Sequence, residues 1–247
     1  MPGPLHSPLE TRLKEWHGEI WHTPKGRLIR DIVYAVDTGL VTTVSFLAGI
    51  SITLALRSKI VLAGLIQTTA GTLAIFFGAY ISTKAQKHFF EAQIEREKQE
   101  IEEMPEKETM EIRQIFGELG FTPEEREIAV KRITADKERW LQFMVQEEIG
   151  ISPGMIDNPL EIGFISAGSY LLGAIPALFP FLVLSDPRRA LLFSAASVLL
   201  FLFILGVAKT RVTRGRPLLS GLETLMVGAI SCGAGFLLGR LAQAYFH

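Results

Sequence analysis

The chain has 247 residues, of which 48% are hydrophobic and 21% charged, and its formal net charge is −1. A near-neutral chain with no basic stripe lacks the electrostatic footprint of a nucleic-acid binder, so no nucleic-acid partner is expected. A single cysteine, Cys232, excludes an internal disulfide and reads as a small packing residue.

The hydrophobic residues are strongly segregated. Five nearly charge-free runs cover Ile32–Ala55, Ile60–Ser82, Ile162–Leu184, Ala190–Ala208 and Leu218–Leu238. Each is about 20 residues long, the length needed to cross a bilayer as a helix. They are apolar all round, whereas a helix on a soluble core shows an amphipathic stripe. The expected fold is therefore an all-α membrane protein with five transmembrane helices and one polar domain. Its segments are 1–30, 31–83 (membrane helices one and two), 84–159 (polar helical domain) and 160–247 (membrane helices three to five).

In chain order, residues 7–20 read as a short helix lying in the membrane interface or docked on the polar domain. Ser7 and Glu10 form a capping box there, and Leu9, Leu13, Trp16 and Ile20 share a face. No signal-peptide pattern precedes the first apolar run, so that run is expected to serve as its own insertion signal. Asp37 is the only charge within Ile32–Ala55. A carboxylate at that depth costs about 2.5–3.5 kcal/mol on insertion scales, so it marks a cavity or an ion pathway. Arg30 and Asp31 read as interface anchors.

The second run continues without a stop signal into KAQKHFFEAQIEREKQEIEEM, which predicts one long helix leaving the bilayer and ending near Pro105. A second polar helix is expected over about 106–119, ending at Gly120. A third begins with a capping box at Thr122 and Glu125 and runs to about Glu148, with Gly150 as its C-cap. The polar domain is thus expected to be a three-helix unit. In the membrane half, Pro176 and Pro180 fall inside the third run. Gly64, Gly71 and Gly78 recur every seven residues in the second run, and Gly235 and Gly239 form a G-x-x-x-G in the fifth. Lys/Arg counts in the loops place the N-terminus and the polar domain in the cytosol and the C-terminus outside. A five-helix bundle is thin for enclosing a polar path, which points to a homodimer. Glu223, near a membrane boundary, reads first as a partner of Arg216 or Arg214.

The chemistry concentrates in Glu97, Glu100, Glu108 and Glu111, two Glu-x-x-Glu pairs. Residues three apart share a helix face, so each pair presents two carboxylates side by side. The break at Pro105 lets the second pair fold back on the first. Packed carboxylates require a cation or protons, and their oxygens suit Mg²⁺, Ca²⁺, Mn²⁺ and Fe²⁺. Glu148 could complete such a site. Met144 lies one turn earlier on the same face, and its thioether would shift preference toward a softer metal such as Fe²⁺. The same run is also what a solvated helix with i,i+4 ion pairs looks like. The chain holds a single Glu-x-x-His, Glu19 to His22, and none within 84–159, whereas a ferritin-like diiron enzyme needs one on each of two helices. His88 reads as a surface residue.

Taken together, the order and spacing resemble the vacuolar iron transporter and Ccc1 family of five-helix divalent-metal transporters, over about Arg30 to Leu241. VDTGLVTTVSFLAGIS is similar to the family's first-helix Asp-Gly-Leu-Val stretch. EREKQEIEEMPEKETMEI and QFMVQEEIGI are similar to its cytosolic metal-binding helices. SYLLGAIPALFPF and SGLETLMVGAISCGAGFLLGRL are similar to its third and fifth membrane helices. The resemblance implies a homodimer, not an enzyme, that moves Fe²⁺ and often Mn²⁺ out of the cytosol in exchange for protons. It implies metal ligands at Glu97, Glu100, Glu108, Glu111, Glu148 and Met144, and a pathway carboxylate at Asp37. Metal is then the transported substrate and no cofactor is expected.

The chain departs from the pattern at several positions. The family's second-helix methionine is Ile75 here, the adjoining glutamate is Ala79, and a further methionine is Val145. The family's Asp-Gly is Asp37-Thr38-Gly39. The lost soft ligand and membrane carboxylate keep a second reading open, a membrane-anchored metal sensor or buffer without transport. A dimetal redox enzyme lacks histidine ligands. A prokaryotic cell membrane is expected in preference to a vacuolar one.

Overall fold

The computed structural model describes residues 25–54, 56–151, 156–213 and 215–246. The interfacial helix expected over 7–20 lies outside them. Among the described residues there are eight helices: α1 (Lys25–Thr53), α2 (Arg57–Glu103), α3 (Pro105–Glu118), α4 (Pro123–Thr134), α5 (Lys137–Glu147), α6 (Pro159–Val183), α7 (Pro187–Thr213) and α8 (Pro217–Phe246). Five of them, α1, α2, α6, α7 and α8, are long and apolar enough to cross a membrane. α2 has 47 residues, which at 1.5 Å each makes it about 70 Å long, more than twice the hydrocarbon thickness. It carries the chain out of the bilayer and forms the first wall of the polar domain, as its uninterrupted helical sequence predicts.

The membrane bundle is organised around α6, which packs on α1, α2 and α7, while α1 also packs on α8. In lipid, helices gain nothing from hiding apolar side chains from one another, so close backbone approach at small residues has to hold the bundle. Gly39 of α1 lies against the Tyr170 carbonyl of α6, and Gly173 of α6 lies against the Val36 carbonyl of α1. The Gly235/Gly239 pair meets α1 in the same way, facing the carbonyls of Ser45 and Gly49. Of the glycines spaced by seven in α2, Gly71 seats the Tyr170 ring and Gly64 meets Leu47 and Leu178, but Gly78 has nothing within 4 Å. Leu40, Val44, Leu47, Phe181, Val198 and Leu202 fill the space between these contacts.

Pro176 and Pro180 both lie inside α6, and neighbouring helices supply donors to its carbonyls. Ser194 Oγ of α7 donates to the Ala177 carbonyl at 2.6 Å. Arg57, at the start of α2, donates to the carbonyls of Phe181 and Leu182 in the last turn of α6. Those carbonyls have no partner within the helix, and lipid offers none. A polar chain crosses the bundle at Tyr170. Thr42 Oγ1 spends its hydrogen on the Thr38 carbonyl (2.7 Å), so it accepts from Tyr170 Oη at 3.0 Å, and Tyr170 Oη accepts from Gln67 Nε2 at 3.1 Å.

In the polar domain the expected capping box is present at Thr122 and Glu125. Gly120 (φ 88°) and Gly150 (φ 72°) occupy the left-handed region that ends helices. The single helix expected from Thr122 to Glu148 is instead two. Asp136 adopts extended backbone angles and its carboxylate accepts the Arg139 N–H at 2.8 Å, starting α5 afresh. A mid-helix Asp offers the backbone this local alternative. The break turns α5 so that Trp140 and Met144 reach Ile101, Ile112 and Val130, forming the domain's apolar core. The domain therefore consists of the α2 extension plus three short helices, rather than three helices in all.

Candidate metal centre

The turn at Met104–Pro105 reverses the chain between α2 and α3, and Pro105 suits the first position of the new helix, where no N–H is needed. Glu97 and Glu100 on α2 are thereby brought opposite Glu108 and Glu111 on α3, and the end of α5 delivers Glu148. Glu97, Glu108 and Glu148 each place one carboxylate oxygen within 4.8 Å of the others. Glu97 is 3% exposed and Glu108 fully buried. Glu97 Oε1 and both oxygens of Glu108 have no hydrogen-bond partner.

The remaining two glutamates sit at the rim, each with a basic neighbour. Arg96 Nε donates to Glu100 Oε1 at 3.0 Å. Lys107 Nζ is 3.1 Å from Glu111 Oε1 and 3.6 Å from Glu108 Oε1, the latter beyond hydrogen-bond reach. Met144 is fully buried in the apolar floor, one turn before Glu148, among Ile101, Ile112 and Trp140. His88 is exposed on α2, as a surface residue would be.

Burial and mutual repulsion both act on these carboxyls. Burial, then the charges of Glu148, Glu108 and Glu100, push Glu97 up to about 8. Burial, followed by Glu111, Glu108 and Glu100, pushes Glu148 up to about 7. Glu108 is also raised, first by burial and then by Glu111, with Lys107 opposing. A cluster in this state can hold protons or a cation, and hard oxygen donors favour a divalent ion. Sequence reasoning did not single out Arg96 and Lys107 as rim partners, although their i,i+4 spacing to Glu100 and Glu111 carried the signal.

Asp37 occupies a different place. It lines a groove of about 520 Å³ between α1, α7 and α8, together with Arg30, Tyr34, Lys209, Glu223 and Thr224. Glu223 faces Lys209, with Nζ 3.9 Å from Oε2, and not Arg216, as the sequence had suggested. Arg214 lies outside the described residues. The reason is topological: α7 ends where α8 begins, and the two pack together, so Lys209 comes level with the first turns of α8. Successive spans alternate in direction, so the start of α1, the end of α2, the start of α6, the end of α7 and the start of α8 share one side. The groove thus opens on the side that carries the polar domain. On that side, Arg27 at the start of α1 is tied to Asp157 before α6 at 3.3 Å. The structure does not bring Asp37 together with the glutamate cluster. Glu97 lies about 22 Å along α2 beyond the end of its apolar run at Ser82, at 1.5 Å per residue.

Residues 29–240 match the sequence profile of the VIT family. Vacuolar iron transporter 1 of Arabidopsis thaliana is 31% identical over 222 residues, covering 90% of this chain and 89% of that protein. Vacuolar iron transporter 1 of Eucalyptus grandis is 30% identical over 235 residues, covering 95% and 94%. Protein CCC1 of Saccharomyces cerevisiae is 23% identical over 223 residues, covering 87% and 69%. With its five long apolar helices and this match over most of its length, the chain is a multi-pass membrane protein that belongs to the VIT family, whose members are transporters rather than enzymes.

Proposed function

We propose that this protein is a homodimeric exporter that moves Fe²⁺ and Mn²⁺ out of the cytosol in exchange for protons. The observation that carries the reading is the buried Glu97–Glu108 pair, which has three carboxylate oxygens without a hydrogen-bond donor and Glu148 within 4.8 Å. Buried carboxylates cost several kcal/mol each unless neutralised; Lys107, 3.6 Å from Glu108, is one cation for the two, and a divalent ion would neutralise the rest. Glu100 and Glu111 flank that centre, each with a basic neighbour, and Met144 lies in the apolar core one turn before Glu148. The relatives' names as iron transporters support iron as a substrate.

The polar domain faces the cytosol. Lys25, Arg27 and Arg30 before the first apolar run, with Lys209, Arg211, Arg214 and Arg216 between the fourth and fifth, put the basic excess on its side. The domain collects ions there. They then pass Asp37, in the groove that opens on the same side. Metal binds only the deprotonated carboxylates, so protons compete at each station and are released on loading. A second copy of the chain supplies the other wall of the path; it packs against apolar faces that α2 and α8 leave uncovered.

The test is Fe²⁺ and Mn²⁺ uptake by proteoliposomes under an imposed pH gradient, for wild type and Asp37→Ala. Uptake that needs both the gradient and Asp37 supports the reading. Metal binding without uptake would overturn transport in favour of a membrane-anchored sensor or buffer, the alternative that Ile75 and Ala79 keep open.

A further inference from the structure

Asp37 does not face its groove alone. Charged residues line it from three helices: Arg30 and Asp37 on α1, Lys209 on α7 and Glu223 on α8, with Tyr34 and Thr224 also in the lining. Arg30 is engaged locally, its Nε and Nη2 both 3.0 Å from Asp31 Oδ1. Lys209 is the cation that α7 places in the groove with both carboxylates. Its Nζ is 3.9 Å from Glu223 Oε2, and it lines the same groove as Asp37. A lysine directly after an apolar run ordinarily extends its ammonium into water. This one lies along the groove with its side chain only 35% exposed.

We infer that Lys209 is the resident counter-ion of this groove and sets its selectivity for divalent over monovalent cations. The inference rests on Asp37 lying on the transport route, as proposed above. Between transport events the tethered ammonium neutralises Asp37 and Glu223, which would otherwise attract any cation. A tethered group acts at a high effective concentration, so a free monovalent ion of equal charge cannot displace it. A divalent ion interacts twice as strongly with the same carboxylates and does displace it. When the metal moves on, the ammonium returns. Lys209 is a positioning residue: it acts through Asp37 and Glu223 and does not touch the metal.

The experiment is initial-rate Mn²⁺ uptake into proteoliposomes against Mn²⁺ concentration, with Na⁺ varied at constant ionic strength, for wild type, Lys209→Met and Lys209→Arg. Removing the competitor should lower KM in Lys209→Met by about fivefold, the scale of a half-exposed ion pair. The maximal rate should be no higher than wild type. Na⁺ should inhibit the methionine variant and leave wild type and Lys209→Arg unaffected. A merely structural lysine would lower the rate without lowering KM or creating Na⁺ sensitivity. Lys209→Gln carries the same expectation where the methionine variant fails to fold. An active wild type with KM unchanged or raised in the charge-removed variant overturns the counter-ion role alone. A wild type with no Mn²⁺ uptake overturns the transport reading and this inference with it.

Discussion

The carboxylates of the polar domain and the carboxylate of α1 are accommodated by different means. Glu97 and Glu108 meet over an apolar floor with three of their four oxygens lacking a hydrogen bond; Arg96 bonds Glu100, and Lys107 lies 3.1 Å from Glu111 and 3.6 Å from Glu108. Asp37 has a lysine in its own groove. On the proposed reading, the first arrangement binds a cation because its clustered carboxylates outnumber the one lysine, Lys107, that stands near the buried pair. On the same reading, the second lowers affinity because Lys209 competes, as suits a site that must release what it binds. The two regions also differ in what holds them up: side-chain packing around Trp140 and Met144 in the polar domain, and backbone contact at glycines in the membrane.

The largest effect should come from breaking the membrane scaffold. Gly39→Leu places a side chain on the Tyr170 carbonyl, which cannot yield, so it should cost about 3 kcal/mol or more and leave little folded protein by size-exclusion chromatography. Gly78→Leu, where nothing lies within 4 Å, should leave the monomer's stability within about 0.5 kcal/mol. Equal effects at the two positions would contradict the packing account.

Next comes Glu108→Gln, which separates stability from binding. Losing an outer-shell partner already costs about 10–100-fold in metal affinity, so losing the central carboxylate should cost at least as much. The same change removes repulsion from the metal-free cluster, and its Tm should rise by about 2–4 °C. A fall in both would mean that Glu108 holds the domain together by some other contact.

A pH effect on the metal-free protein tests the same cluster. A carboxyl whose pKa is higher folded than unfolded keeps its proton longer in the folded state. Between the ordinary value of 4.5 and the raised values, about 7 for Glu148 and about 8 for Glu97, the folded chain binds more protons. Its stability therefore falls as pH rises through that window. Metal binding has the opposite sign and strengthens over the same range. Thermal melts at pH 5, 6.5 and 8, with and without Mn²⁺, should show Tm declining in the absence of metal and the Mn²⁺-induced increment growing. The smallest change is expected from Ile75→Met, a soft ligand restored on the half-buried face of α2, which should tilt uptake toward Fe²⁺ over Mn²⁺ by a few-fold.

Much of this was legible in the sequence, because the signals were local. The five apolar runs, the helix that outlasts the bilayer, the Thr122 capping box and the terminators Gly120 and Gly150 each follow from composition or spacing over a few residues. The two Glu-x-x-Glu pairs flanking Pro105 carried the polar site in the same way. What escaped depended on tertiary placement. Asp136 ends one helix and starts another because α5 must turn to bury Trp140 and Met144, and an Asp inside a polar helical stretch does not announce that. Which glutamates are buried, Glu97 and Glu108, and which are rim residues, Glu100 and Glu111, is decided by how α3 lies on α2. Lys209 meets Glu223 because α7 and α8 pack where they join. The alternation of spans carried that hint, but loop-based pairing with Arg216 or Arg214 obscured it.

The most direct measurement of the central claim is isothermal titration of the detergent-solubilised full chain with Mn²⁺ at pH 6 and pH 8, wild type against Glu108→Gln, in two buffers of different ionisation heat. The account predicts tighter binding at pH 8, proton release on binding near pH 7, and loss of most affinity in the variant. Binding that is independent of pH, releases no protons and survives Glu108→Gln would contradict it.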